Sequence, residues 1–128
     1  MAGAVESNKA LVADFLDLAF NQHRPAEAAT RYLGQTFRQH DPNLGDGPAP
    51  FVAFLTEYAR AYPALKMTVR HVVAEGNLVV VHGHLLRKPS DRGLATVHIF
   101  RVSEGRIVEH WDAIQEVPPA AANENTMF

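Results

Sequence analysis

Cysteine is absent from the 128 residues, which removes disulfide frameworks, thiolate nucleophiles and cysteine-based zinc sites together. No apolar run approaches the roughly 18 residues that a membrane span requires. The start, MAGAVESNKA, has neither the basic region nor the apolar stretch of a signal peptide. There is no basic block, and 12 Lys and Arg stand against 14 Asp and Glu, so nucleic acid is not an expected partner. At 47% hydrophobic and 20% charged residues the chain fits neither a disordered nor a fibrous class. What remains is one domain over residues 1–128, large enough to bury a core without staples and expected in the cytoplasm.

What is present changes character halfway along. Leu11, Val12, Phe15, Leu16, Leu18 and Ala19 recur at helical spacing, and Ser7 or Asn8 can cap that helix. Pro25 suits the first position of a second, short helix that Gly34 would stop. Asp41-Pro42, Gly45 and Gly47 mark loop. A third helix is predicted from Pro48 or Pro50 to Ala61, its apolar stripe formed by Phe51, Phe54, Leu55 and Tyr58. From there the period falls to two: Met67 to Ala74, Leu78 to Arg87, Leu94 to Val102 and Ile107 to Gln115 all read as strands. Residues from about 117 to 128 are Pro- and Ala-rich and are expected to be an irregular tail.

Helices followed by an antiparallel meander define an α+β class, with the helices on one face of a curved sheet. Strand alternation leaves a second apolar face carrying Val97, Ile99, Ile107 and Trp111. Water does not suit such a face, so a homodimer through it is expected.

The hairpin from Leu94 to Gln115 concentrates acid/base side chains. A two-residue turn would hold Glu104 at positive φ, so a three-residue loop over Ser103, Glu104 and Gly105 is the expectation. That loop pairs Val102 with Arg106 and puts His98 opposite His110 and Thr96 opposite Asp112. His98 and Asp112 then share a face as diagonal neighbours, and a one-residue slip would separate them. A carboxylate in an apolar face loses solvation, which raises its pKa; beside an imidazole it can take a proton from carbon next to a carbonyl and return it elsewhere. The competing explanation is a surface Asp and a histidine in a structural hydrogen bond. His82 and His84 share a face that parity alone does not fix, and His40 is placed at a pocket rim. Phe54 and Tyr58 are core, pocket wall or both. Seven histidines without a ligand motif do not make a metal site the expectation.

GRIVEHWDAIQ after an IFRV strand, VVAEGNLVVVH before it and QHDPNLGDG ahead of the third helix together resemble the SnoaL-like polyketide cyclase family. That family lies within the nuclear-transport-factor-2-like superfamily, and the resemblance covers nearly the whole chain. It implies a conical half-barrel of three N-terminal helices on a curved, mainly antiparallel sheet whose outer face often dimerises. It also implies that an Asp on the last strand is the acid/base and a His on the preceding strand its assistant, roles that fall on Asp112 and His98. The reaction implied is an intramolecular aldol condensation without metal or organic cofactor.

The expectation is an enzyme with acid/base chemistry of aldol, isomerase or lyase type, acting on a small apolar carbonyl compound. His110, His82 and His40 would orient that substrate, with Phe54 and Tyr58 in the wall. One alternative is a non-catalytic small-molecule-binding or dimerisation module of the same fold. The other is a metal-assisted hydrolase using the histidines.

Overall fold

The computed structural model describes residues 3–128. Helix α1 spans Ala4–Leu16 with Gly3 as its N-cap. The helix therefore begins before Ser7 and Asn8, and the Ser7 amide already donates to the Gly3 carbonyl at 3.0 Å. A π-helical turn, Asp17–Asn21, continues it. The wider turn turns three successive residues, Leu18, Ala19 and Phe20, into the core, which straight α-helical spacing would not do. Asn21 at its end grips the backbone of Met67: its Oδ1 accepts from the Met67 amide at 2.8 Å and its Nδ2 donates to the Met67 carbonyl at 3.1 Å.

Pro25 opens α2, Pro25–Tyr32, as its missing N–H and fixed φ favour. Directly after it runs a strand that the sequence pattern did not announce, β1, Leu33–Gln39. Gly47, at φ 85°, leads into α3, Pro48–Ala61, which buries Phe51 and Leu55. The remaining strands are β2, Lys66–Glu75; β3, Leu78–Leu86; β4, Leu94–Ser103; and β5, Arg106–Glu116. Residues 117–128 form neither helix nor strand.

The five strands make one curled sheet in the order β1-β5-β4-β3-β2, antiparallel except for the parallel pair β1 and β5. The helices cover one face. Phe15 is the hub of the core, with ring centroids 5.5 Å from Phe51 and 6.0 Å from Phe100. Gly83 sits in a regular part of β3: a Cβ there would fall 2.8 Å from Met67 Sδ and 2.9 Å from Thr96 Oγ1, so those two side chains close over it. The irregularity lies next door, between Val69 and His71 of β2.

Candidate active site

The β4–β5 turn has Glu104 at φ 51° and Gly105 at φ 74° and closes on the pair Ser103 and Arg106. It is the two-residue turn that glutamate was expected to disfavour, not a three-residue loop. Left alone, that turn would set His98 opposite Trp111. One extra residue in β5 prevents this: Val102 pairs with Ile107, but Arg101 pairs with Glu109, so Val108 is unopposed as in a β-bulge. Beyond it His98 faces Asp112, Phe100 faces His110 and Thr96 faces Ile114.

The register thus differs from the expected one by two residues, and because two is the side-chain period the shared face survives. Ile107 is the casualty. Lying before the bulge, it points inward with Val102 and is 0% exposed, so it belongs to the core and not to an outer interface.

The inner face of the hairpin runs from core to opening. Phe100 is buried, His98 is 6% and His110 8% exposed, and Ile114 at the far end is 50% exposed. Asp112 stands at the boundary, half-buried. Three side chains behind it are linked in series. Gln39 Oε1 accepts from the Asp41 backbone amide at 3.1 Å and lies 2.7 Å from His110 Nδ1, while His110 Nε2 lies 2.9 Å from His98 Nδ1. A backbone amide only donates, which fixes the Gln39 oxygen; that oxygen only accepts, so His110 donates from Nδ1. A neutral His110 must then accept at Nε2, His98 must donate from Nδ1, and His98 Nε2 is left as a bare lone pair. That nitrogen is buried and has no hydrogen-bond partner.

The electrostatics keep both imidazoles neutral. Burial pushes His98 down to about 4, against the opposing pull of the Asp41 charge. Burial, then the neighbouring His98 and His40, takes His110 to about 3. Asp112 moves the other way, up to about 7, through burial first, then its hydrogen bond with the Asp41 carboxyl and the Asp41 charge. A neutral acceptor and a carboxyl that changes charge near pH 7 therefore share one face. One donor atom each from His98, His110 and Asp112 also lie within 4.8 Å of one another, the group best placed to hold a cation.

Other expected site residues go elsewhere. His82 and His84 pair with Val97 and Ala95 on the outer face, and His82 Nδ1 lies 2.9 Å from His71 Nδ1. His82 therefore faces away from Asp112, because β3 alternates with Val79, Val81 and Leu85 inward. His40 is also outside, not at a pocket rim: its Nε2 lies 2.7 Å from Glu109 Oε2 and its ring stacks on Trp111 at 4.7 Å. Arg101 approaches the Trp111 ring at 5.6 Å and binds Glu109 at 2.9 Å, the cross-strand pair that shared parity suggested. Phe54, 46% exposed, stacks on Tyr58 at 5.3 Å along α3, and Tyr58 feels the charges of Arg87 and Asp91. No hydrogen bond or ring contact among the described residues joins that aromatic pair to Asp112 or His98.

Gln39 and Asp41 are the residues that sequence reasoning missed. The signal was there in principle: a strand ending at Gln39 would have turned Gln39 and Asp41 one way and His40 the other.

A family model for the SnoaL-like domain matches residues 12–110. Comparison with curated proteins finds no match. Among solved structures, TsrD from Streptomyces laurentii is similar with a TM-score of 0.71 at 22% identity, over 89% of this chain and 91% of that one. A protein put forward as a SnoaL-like polyketide cyclase from Jannaschia sp. CCS1 gives 0.73 at 18% identity, over 89% of each chain. One put forward as a ketosteroid isomerase from Kribbella flavida DSM 17836 gives 0.70 at 24% identity, over 91% of this chain and 85% of that one. At such identities the likeness is one of fold.

Proposed function

The chain belongs to the SnoaL-like domain family, and from that premise we propose that it is a cofactor-independent acid/base enzyme acting on an apolar carbonyl compound. The observation that carries this is Asp112, a carboxyl raised to about 7, standing directly across the ladder from His98. Near neutral pH such a carboxyl can take a proton and give it back. As carboxylate, Asp112 removes a proton from the carbon next to the substrate carbonyl, leaving an enolate. The enolate then attacks a second carbonyl, as in an aldol ring closure, or is reprotonated at another carbon, as in an isomerisation. In either case Asp112 returns the proton it took. His110 holds His98 neutral and in the tautomer that leaves Nε2 bare, so the imidazole across from Asp112 adds no positive charge that would draw the Asp112 pKa down. Asp41 is the neighbour that keeps Asp112 protonated to higher pH.

The test uses hydrogen–deuterium exchange at the α-carbon of aryl methyl ketones in heavy water, followed by NMR. The protein should accelerate exchange, and Asp112→Asn should lose on the order of a hundredfold or more of that acceleration while keeping its circular dichroism spectrum. Equal rates for the two proteins would remove the proposal and favour a binding module that has the fold without the chemistry.

A second reading has the 4.8 Å convergence of His98, His110 and Asp112 behind it: two histidines and a carboxylate are a recurring ligand set for divalent transition metals. Stoichiometric metal in the purified protein would favour that reading, a metal-assisted hydrolase.

The outer face supports a homodimer in both readings. Val97 is 40% exposed there, beside half-buried Ile99 and the Trp111 ring held between His40 and Arg101.

A further inference from the structure

On the outer side of the sheet, away from Asp112, the C-terminal segment arches over a cavity of about 550 Å³. The arch is fixed at both ends. Val117 donates from its amide to the Gly93 carbonyl at 3.0 Å, and its own carbonyl accepts from Arg92 Nε at 3.4 Å. At the other end the Phe128 ring stacks on His84 at 4.0 Å and on His82 at 5.6 Å.

The floor is shaped by two local devices. Gly93 has φ 82°, and a Cβ there would fall 2.5 Å from the Leu85 carbonyl oxygen and 2.7 Å from His84 Nε2. Only glycine lets the loop lie this close, and so lets the Arg92 carbonyl accept from His84 Nε2 at 2.8 Å. The irregularity in β2 is the second device: Arg70 is the extra residue between Val69 and His71. Its guanidinium lies 5.4 Å from the Phe128 ring centre, as a bulge can re-aim a side chain.

The lining is cationic and greasy at once. Arg70 and Arg92 face it, and Asp91 is the one carboxylate side chain in the lining. Asp91 is already engaged by Arg87, with contacts of 2.8 and 3.2 Å to its two oxygens. Neither Arg70 nor Arg92 has a carboxylate partner among the described residues. His84 Nδ1 is buried without a partner. Pro118, Pro119, Met127 and Phe128 supply apolar surface. The volume falls within the range of small-molecule sites.

We propose that this cavity binds a small amphipathic organic anion, its acidic group between Arg70 and Arg92 and its apolar body against Pro118, Pro119 and Phe128. Two unpaired guanidiniums favour an anion, and the walls favour an apolar or aromatic remainder. The site is independent of the acid/base proposal, because His84 and Asp112 lie on opposite faces of the sheet.

The full-length chain, labelled with nitrogen-15, is titrated with anilinonaphthalenesulfonate and followed through its amide signals. Saturable, equimolar shifts at Gly93, Val117 and Phe128 are expected. Replacing both arginines (Arg70→Ala with Arg92→Ala) should weaken the dissociation constant on the order of tenfold or more, with an otherwise folded amide spectrum. Asp112→Asn should leave it unchanged. Decanoate should displace the probe, whereas neutral decanol and inorganic sulfate should not. Unchanged affinity in the double variant, shifts centred on His98 and Asp112, or no saturable shift at millimolar probe would each overturn the proposal.

Discussion

Asp112 stands directly across the β4–β5 ladder from His98 because Val108 is one residue too many in β5. The turn at Glu104 and Gly105 would otherwise set Trp111 there and send the carboxyl to the outer face. Bulge and turn act as a pair of opposite one-residue corrections, and the site depends on both.

The turn carries a cost that can be relieved. Glu104 adopts φ 51°, a region that disfavours L-residues other than Asn, Asp and Gly. Glu104→Asn should stabilise the fold by about 1 kcal/mol. Urea unfolding followed by tryptophan fluorescence measures this, with the slope of the transition unchanged.

Asp112 sets a pH dependence of definite sign. With its pKa at about 7, α-proton exchange should rise with pH through about 7 as the base form appears. Asp41→Asn removes the neighbouring charge and should move that midpoint to lower pH, though not to the ordinary carboxylate value, since burial is the larger cause. A carboxyl raised on folding stabilises the fold fully below its unfolded pKa and loses that contribution as pH rises through the folded one. The stability of the protein relative to Asp112→Asn should therefore fall between about pH 4 and pH 7, read from urea midpoints across that range.

The tautomer chain is directly observable. Long-range nitrogen–proton correlation spectra should show His98 protonated at Nδ1 and bare at Nε2, with neither imidazole charged at pH 6. Gln39→Leu strands the His110 Nδ1–H and the Asp41 amide. It should cost about 1–3 kcal/mol of stability and mix the His98 tautomers. Unaltered His98 signals in that variant would show that Gln39 does not set them.

Much of this was legible in the sequence, for reasons that also mark where legibility ends. The four later strands and three helices have apolar periods of 2 and 3.6, and burial enforces periods. β1 does not: in LGQTFRQ only Leu33 and Phe37 are buried, and its pairing is with β5, distant in sequence. Missing it misplaced His40 and hid Gln39 and Asp41. Beyond the bulge, a register two residues off keeps parity, so alternation places His98 and Asp112 on one face even where it does not give their partners. Ile107 came out wrong because it precedes the bulge, where parity had not yet been reset.

The outer face offers a test of assembly. Trp111→Asp places a carboxylate beside Val97 and Ile99 and should turn a dimer into a monomer by light scattering. The acid/base face on the other side of the sheet should be undisturbed. A wild-type protein that is monomeric at high micromolar concentration would end that proposal.

The grip of Asn21 on Met67 has a consequence for the molecule's behaviour in a crowd. β2 ends the sheet, so its free backbone groups are a template onto which a strand from another chain could add. With one side-chain amide donating to and accepting from the same edge residue, Asn21 stands in for a single rung of that missing strand. An incoming chain would have to evict it before pairing at that point. The residue that ends the first helical stretch thus doubles as a guard against uncontrolled sheet growth.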